Sequence, residues 1–192
     1  MNLNTHTKHI PCLITIFGAT GDLSHRKLFP SLFHLYQQDN LDEHIAIIGV
    51  GRRDYTNDFF REQVKQSIQT HVKDTDRLDE FIEHVFYFKN DVNEEESYHE
   101  LLAFSNELDD TFKLEGNRLF YLAMAPQFFG PISDYLKASG LTETKGFKRL
   151  VIEKPFGSDF KSAEKLNNQL RQSFKEEAVS YTHLRAHETP EH

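Results

Sequence analysis

Residues 14–23 read ITIFGATGDL, an apolar run that ends in a glycine turn and leads into a helical pattern. A strand, a glycine turn and a helix in this order present free backbone N–H groups to an anion, as a Rossmann unit does for a dinucleotide pyrophosphate. Gly18 and Gly21 are three residues apart, and the third glycine of the usual G-x-G-x-x-G pattern is missing. Two interpretations therefore stay open: a dinucleotide site, or a strand-to-helix turn that only needs the backbone freedom of glycine.

The composition is that of an acidic globular domain. The 192 residues carry a net charge of −8, are 38% hydrophobic and include 17 Phe, which is enough for one domain with a substantial core. An acidic chain does not attract nucleic acid or an anionic membrane, so neither is expected as a partner. The single cysteine, Cys12, excludes a disulfide within the chain, and its apolar neighbours predict a buried, unreactive thiol.

The N-terminal segment carries no targeting signal. Residues 1–10 lack the apolar core of a signal peptide, and no apolar stretch is long enough to span a membrane. We therefore expect a cytoplasmic protein, and we predict no metal site.

Apolar runs of strand length recur along the chain, at residues 13–17, 45–50, 85–88, 118–123 and 149–152. All but the third are nearly continuous, as in strands that are buried on both faces of a parallel sheet. Segments with helical spacing lie between them, and an amphipathic helix is predicted over residues 160–174. This alternation predicts an α/β fold with a doubly wound, Rossmann-like parallel sheet. Residues 178–192 show no apolar periodicity and are predicted to be a disordered tail.

The end of the second strand indicates which dinucleotide fits, because the adenosine ribose lies there. An NAD site places an acidic residue at this position, whereas this chain reads GVGRR over residues 49–53. The guanidinium groups of Arg52 and Arg53 suit a 2′-phosphate, which they can bind in a bidentate manner. The cofactor is therefore predicted to be NADP, and the alternative is a solvated basic turn.

Two further segments follow strands of the predicted sheet. Residues 120–126 read FYLAMAP, whose small residues would let a nicotinamide ring approach the backbone, unless the proline only ends the strand. Residues 151–157 read VIEKPFG and place Lys154 at the carboxyl edge of the sheet, where an ammonium group would hold an anionic or hydroxylic substrate. The alternative for Lys154 is an ordinary surface charge.

Taken together, four motifs resemble the N-terminal domain of the glucose-6-phosphate dehydrogenase family in order and spacing. They are GATGDLSHRKLFP at 18–30, G-x-x-R at 49–52, NRLFYLAMAP at 117–126 and IEKPFG at 152–157. The resemblance implies an NADP-linked oxidation of glucose 6-phosphate at C1 to 6-phosphogluconolactone, the entry step of the pentose phosphate pathway.

The resemblance also implies roles for individual residues. Lys27 would face the substrate, and Lys154 would contact both substrate and cofactor as a catalytic residue. Arg52 would bind the 2′-phosphate with Arg53 beside it. The nicotinamide pocket would be lined by residues from Ala123 to Pro126, and the cofactor turn would consist of Gly18, Thr20, Gly21, Asp22 and Leu23.

The chain departs from the family pattern after residue 177. The family's Arg-Ile-Asp-His-Tyr-Leu-Gly-Lys motif, which binds the sugar phosphate, is missing from residues 178–192, and so is the second, antiparallel α+β domain with its base histidine and oligomer interface. We therefore expect a dinucleotide-binding domain over residues 1–177 followed by a tail unrelated to the family, and a truncated chain that is inactive alone. The alternatives are a non-catalytic NADP-binding module and another NADP-linked sugar or polyol oxidoreductase.

Overall fold

A computed structural model describes residues 10–41, 43–153, 168 and 179–182. Its centre is a six-stranded sheet in which every neighbouring pair is parallel, with the order β3-β2-β1-β4-β5-β6. The strands are β1 (Cys12–Phe17), β2 (Ile45–Gly51), β3 (Val85–Lys89), β4 (Arg118–Leu122), β5 (Lys148–Glu153) and β6 (Val179–Thr182). The strand order reverses between β1 and β4, and ligands bind at the carboxyl edge of such a switch point.

Helices cover both faces of the sheet. They are α1 (Phe29–Gln37), α2 (Asn57–His71), α3 (Leu78–Ile82), α4 (Glu95–Phe112) and α5 (Phe129–Ala138), with a π-helical turn (Ser24–Leu28) before α1 and a 3₁₀ turn (Pro126–Phe128) before α5. One core contains buried side chains of α1, α2 and α3, and the other contains those of α4 and α5. The doubly wound α/β class predicted from the sequence is confirmed.

The predicted strands agree with the observed strands to within one residue at each end. All six residues Ile45–Val50 of β2 are buried, which explains why this run is continuously apolar. Burial also raises the pKa of the Cys12 thiol to about 12, against a weaker opposing effect of a hydrogen bond to the Leu119 backbone. The thiol is therefore protonated at neutral pH, although Cys12 is half-buried and not buried as expected.

Two helices and one strand differ from the sequence-based expectations. Helices α3 and α5 were not among the segments identified by helical spacing, since α3 is only five residues long and α5 follows the 3₁₀ turn that starts at Pro126 and has Pro131 in its own first turn. Strand β6 lies within the tail predicted to be disordered, and it pairs in parallel with β5 from Leu150↔Val179 to Glu153↔Thr182. That prediction is wrong for residues 179–182, where β-branched and aromatic residue types favour a strand. The helix predicted over residues 160–174 lies outside the described residues apart from Asn168.

Candidate dinucleotide-binding site

The turn after β1 is fixed to the neighbouring strand by backbone hydrogen bonds. The N–H groups of Gly18 and Ala19 both donate to the Val50 carbonyl, at 3.1 and 3.0 Å. The Gly18 carbonyl in turn accepts from the Gly21 N–H at 3.1 Å and from the Ser24 hydroxyl at 3.0 Å. The turn is therefore held in one conformation without a ligand.

Gly18 is the residue at which the turn has no room for a side chain. Its φ of +84° lies in the left-handed region, and an added Cβ would overlap the carbonyl oxygen of Ala123 and lie 2.8 Å from the Met124 side chain. Ala123 is itself fixed, because its N–H donates to the Phe17 carbonyl at 2.9 Å. Glycine at this position thus lets the loop after β4 approach the turn after β1.

The helix that follows the turn begins irregularly. Asp22 and Leu23 precede the π-helical turn, and exposed Asp22 forms a salt bridge with Arg26 at 3.0 Å. The His25 ring lies 2.9 Å from the Ser67 hydroxyl of α2, and burial lowers the pKa of His25 while the Asp22 carboxylate opposes this shift. Short π-helical segments occur frequently at functional sites.

A cavity of about 480 Å³ opens beside this turn, at the carboxyl ends of β1 and β2. We call it the nucleotide cleft; it is lined by Gly18, Thr20, Val50, Gly51, Arg52, Arg53, Asn90, Val92 and Met124. Thr20 lies against Gly51, where a Cβ would be 2.8 Å from the threonine methyl group. The first glycine turn and the basic end of β2 therefore form one site.

The basic pair is presented by a well-anchored loop. The Arg53 carbonyl accepts a hydrogen bond from the Tyr87 hydroxyl, and the Gly51 carbonyl accepts one from the Asn90 N–H at 2.9 Å. The side chains of Arg52 and Arg53 are exposed. Two exposed guanidinium groups on a fixed backbone, with donors that have no partner among the described residues, are suited to bind a phosphate from solution.

A second cavity, of about 440 Å³, adjoins the first and has a different charge. We call it the acidic cavity; it is lined by Arg52, Lys89, Asn90, Asp91, Glu94, Glu96, Ser97 and Glu100. Arg52 and Asn90 line both cavities and thus form the boundary between them.

The predicted nicotinamide segment is only partly in contact with the nucleotide cleft. Met124 lines the cleft, whereas Ala123 and Pro126 line neither of the two cavities. Ala123 contacts the glycine turn through its backbone, and exposed Pro126 begins the 3₁₀ turn. Met124 is therefore the residue of this segment that forms the wall of the cleft after β4.

The remaining predicted site residues lie beside the cleft or outside the described residues. Gly21, Asp22 and Leu23 follow the turn without lining either cavity, and half-buried Lys27 lies in the π-helical turn. Lys154, predicted to contact substrate and cofactor, lies outside the described residues. Its chain neighbour Glu153 ends β5 at the carboxyl edge of the sheet.

Comparison with known proteins identifies the family to which this fold and this site belong. The model of the family described as "Glucose-6-phosphate dehydrogenase, NAD binding domain" matches residues 15–182. The chain belongs to the glucose-6-phosphate dehydrogenase family. The match extends to the end of β6, so the family pattern continues five residues past the boundary predicted at residue 177.

Curated members of the glucose-6-phosphate dehydrogenase family share up to nearly half of the aligned residues. The chain is 46% identical over 167 residues to glucose-6-phosphate 1-dehydrogenase of Streptococcus pneumoniae, and 48% identical over 167 residues to that of Bacillus subtilis. These alignments cover 87% of this chain and 34% of each relative. The chain thus spans about a third of the length of the curated relatives it matches.

Solved structures of glucose-6-phosphate dehydrogenases have the same fold. One is described as the enzyme in complex with its substrate glucose-6-phosphate, and it matches with a TM-score of 0.81 and 37% identity over 91% of this chain and 36% of that chain. The enzyme from Mycobacterium avium matches with a TM-score of 0.76 and 31% identity over the same shares of both chains.

The structure adds residues to the site that the sequence motifs did not single out. Asn90 and Val92 follow β3 and line the nucleotide cleft. A polar residue directly after a predicted strand could have indicated Asn90, and no sequence signal marked Val92. Within the described residues there is no group of histidine, cysteine or carboxylate side chains able to hold a metal ion. The helices of the described part of the chain are also too short or too polar to cross a membrane.

Proposed function

We propose that this domain binds NADP in the nucleotide cleft and that the protein it belongs to oxidises glucose 6-phosphate to 6-phosphogluconolactone. The observation that carries the proposal is that the Gly18 turn and the Arg52–Arg53 pair line one cavity. In the reaction, C1 of the sugar gives a hydride to the nicotinamide, its hydroxyl gives a proton to a base, and NADP becomes NADPH. The family membership and the glucose-6-phosphate complex of a solved relative support this reaction.

The geometry of the cleft supports a position for each part of the cofactor. The pyrophosphate lies over the Gly18–Thr20 turn, where Gly21, Asp22 and Leu23 begin the helix whose N-terminal N–H groups face an anion. The ribose lies over Gly51, and the 2′-phosphate binds Arg52 and Arg53.

The substrate half of the site depends on residues near the same edge. We propose that the nicotinamide packs against the segment from Ala123 to Pro126 and that Lys27 and Lys154 bind glucose 6-phosphate. The half-buried position of Lys27, one turn after the glycine turn, supports its role. Lys154 follows β5, which is the second strand from β1 on the side of the sheet opposite β2.

Three broader statements belong to the same proposal. The dinucleotide-binding domain covers residues 1–177 together with β6, the protein acts in the cytoplasm, and it forms homo-oligomers through parts of the family's fold beyond this domain. A size measurement of this chain beside a full-length relative tests the last statement, because the chain alone would then be monomeric.

The cofactor proposal is tested by calorimetric titration of the 192-residue chain with NADP and with NAD. Replacing both arginines, Arg52→Ala and Arg53→Ala together, removes the charge-assisted hydrogen bonds to the 2′-phosphate. We expect the affinity for NADP to fall by about tenfold to a hundredfold, since hydrogen bonds to charged groups contribute roughly 1.5–3 kcal/mol. The affinity for NAD should change by less than about twofold, because NAD carries no 2′-phosphate.

A matched control is Arg149→Ala, which removes an exposed arginine from the opposite, amino-terminal end of β5. The control should leave both affinities unchanged. Equal loss of NADP and NAD binding in the double variant would contradict a 2′-phosphate site at the two arginines. If the wild-type chain bound neither cofactor, the assignment of the cleft as a dinucleotide site would be wrong.

A second candidate is an NADP-binding module without turnover. It differs from the first in one measurement, the rate of NADPH formation from glucose 6-phosphate by this chain and by a version extended with the remaining sequence of a relative. Turnover only in the extended version supports the enzyme, and binding without turnover in both supports the module. Activity on unphosphorylated sugars or polyols instead would indicate a different oxidoreductase.

A further inference from the structure

His25 joins the segment after the glycine turn to helix α2. Its ring Nδ1 lies 2.9 Å from the hydroxyl of Ser67, which is half-buried on α2. Burial lowers the pKa of His25 below its ordinary 6.5, against a weaker opposing effect of the Asp22 carboxylate, so the ring is mostly uncharged at about pH 7. The contact is therefore a hydrogen bond between two neutral groups that lie 42 residues apart in the sequence.

The same residue is bonded to the glycine turn through its backbone. The His25 N–H donates to the Gly21 carbonyl at 3.3 Å. The hydroxyl of its neighbour Ser24 donates to the Gly18 carbonyl at 3.0 Å. His25 thus has contacts in two directions, one to the turn beside the nucleotide cleft and one to α2, and a displacement of its ring would act on the turn through its own backbone.

Helix α2 is a firm support for this contact. The side chains of Phe60, Val64 and Ile68 are fully buried on it. The Phe60 ring also packs edge-on against Phe29, which directly follows the π-helical turn, with 5.8 Å between the ring centroids. The turn is therefore attached to α2 at both ends, by apolar packing after its last residue and by the His25 hydrogen bond near its first.

The π-helical geometry makes the attachment near the first residue important. The Phe29 N–H donates to the Ser24 carbonyl, an i→i+5 bond in place of the i→i+4 bond of an α-helix. Such turns are rare and occur frequently at functional sites. The start of this one adjoins the backbone N–H groups that are proposed to face the pyrophosphate, so its position determines where those groups lie.

We propose that His25, by its hydrogen bond to Ser67, holds the glycine turn in the position that binds the pyrophosphate of the cofactor. The proposal rests on the NADP site proposed in the nucleotide cleft. His25 is a positioning residue, because it acts through the backbone of the turn. Groups that bind a ligand must be held to within about 0.5 Å of their productive geometry, and without the bond to α2 the start of the helix is free to move.

The experiment is calorimetric titration of the 192-residue chain with three ligands. NADP and NAD both carry the pyrophosphate, whereas adenosine 2′-monophosphate carries the 2′-phosphate without it. In His25→Ala the affinities for NADP and NAD should both fall by about threefold to tenfold, as for the loss of one neutral hydrogen bond. The affinity for adenosine 2′-monophosphate should change by less than about twofold, because this ligand has no group to place over the turn.

Two further variants show whether the hydrogen bond itself causes the effect. Ser67→Ala should act like His25→Ala, and both changes together should have no larger effect than either alone, because each removes the same contact. His25→Asn keeps a polar amide near the place of Nδ1 and should restore both dinucleotide affinities to within about twofold of the wild type. A side chain needed only for packing would not be replaced by this smaller polar group.

Thr70→Val is the matched control, since Thr70 is an exposed residue of α2 whose hydroxyl donates to the Gln66 carbonyl of the same helix. It should leave all three affinities unchanged. If His25→Ala does not fold, Ser67→Ala gives the comparison, because it removes a single hydroxyl group. If adenosine 2′-monophosphate binds too weakly to be measured, restoration by His25→Asn decides the outcome.

The possible results separate this proposal from the proposed function. Unchanged dinucleotide affinities in His25→Ala and Ser67→Ala overturn the positioning role, while NADP binding by the wild-type chain still supports the cleft. Failure of the wild-type chain to bind NADP overturns both. If the affinities for all three ligands fall together with the Tm and His25→Asn restores none of them, the role of His25 is structural only.

Discussion

Polar side chains at the amino edge and at the carboxyl edge of the sheet differ in whether they have hydrogen-bond partners within the chain. At the amino edge, Tyr36 donates to Glu80 at 2.6 Å, Arg77 binds Asp39 at 2.7 Å, and the His84 ring lies 2.7 Å from the Ile45 carbonyl. These groups satisfy one another within the chain. Three side chains that line the cleft at the carboxyl edge, those of Arg52, Arg53 and Asn90, have no such partner among the described residues.

The carboxyl edge leaves donors and acceptors for a ligand. The side chains of Arg52 and Arg53 are exposed at the cleft, and the amide of Asn90 is unpaired within the described residues. Groups that the fold has already paired are less available to a ligand, so this contrast favours binding at the carboxyl edge. Variants at the two edges should therefore differ in how they change stability and NADP affinity.

The largest effect is expected from Gly18→Ala, at the carboxyl edge. Its Cβ would combine the left-handed φ of +84° with overlap of the Ala123 carbonyl and the Met124 side chain. The φ alone costs about 1–2 kcal/mol and overpacking about 1–3 kcal/mol, so the free energy of unfolding should fall by about 3 kcal/mol. Urea denaturation measures the change, and NADP binding should be lost with the turn geometry.

Gly140→Ala is its matched control at the other edge. Gly140 has a similar φ of +86°, but among the described residues an added Cβ would meet only the Leu102 side chain, at 3.8 Å. Its loss of about 1–2 kcal/mol should reflect the backbone conformation alone and leave NADP binding intact. Equal destabilisation by the two variants would mean that the close approach of Ala123 to the turn contributes nothing.

A smaller effect is expected from Arg118→Leu at the amino edge. Arg118 is 3% exposed and donates from Nη1 to the Leu141 carbonyl at 3.2 Å and from Nη2 to Asn106 Oδ1 at 2.7 Å. Burial lowers the pKa of this guanidinium, and Asp109 opposes the shift. The variant should lose about 2–3 kcal/mol in the free energy of unfolding, because a charged donor to two acceptors is removed.

The affinity for NADP should not change in Arg118→Leu, since Arg118 begins β4 at the edge away from the cleft. The control is Arg149→Leu, whose exposed side chain should change the free energy of unfolding by less than about 0.5 kcal/mol. If Arg118→Leu lowered the affinity for NADP together with the stability, the amino edge would also contribute to binding, and the proposed difference between the two edges would be wrong.

Local patterns in the sequence predicted the sheet and the glycine turn because their causes are local. Continuous apolar runs indicated strands buried on both faces, and Gly18 marked the turn where β1 and β4 approach each other. Arg52 was indicated by its place after the second strand. The unpaired amide of Asn90 could not be predicted, because whether a side chain finds a partner depends on residues distant in sequence. The role predicted for Lys154 stays a prediction.

The smallest effect is expected from Glu80→Gln, and it depends on pH. Arg77 first, and then Tyr36, lower the pKa of the Glu80 carboxyl below its usual 4.5 through hydrogen bonds. A lowered folded-state pKa stabilises the protein fully above the unfolded-state pKa, and this contribution is lost as the pH falls through the folded-state pKa. The variant should therefore have a slightly lower Tm than the wild type at about pH 7, and this difference should shrink as the pH falls through the folded-state pKa.

The control for this last variant is Glu83→Gln, an exposed carboxylate at the end of the same helix. Its Tm should follow that of the wild type at every pH, because its carboxylate takes part in no ion pair recorded among the described residues. If the Tm difference for Glu80→Gln stayed constant with pH, the Glu80 contacts would act through packing and not through charge. In that case the contrast between the amino edge and the carboxyl edge would rest on the Arg77–Asp39 ion pair, Arg118 and the His84 contact.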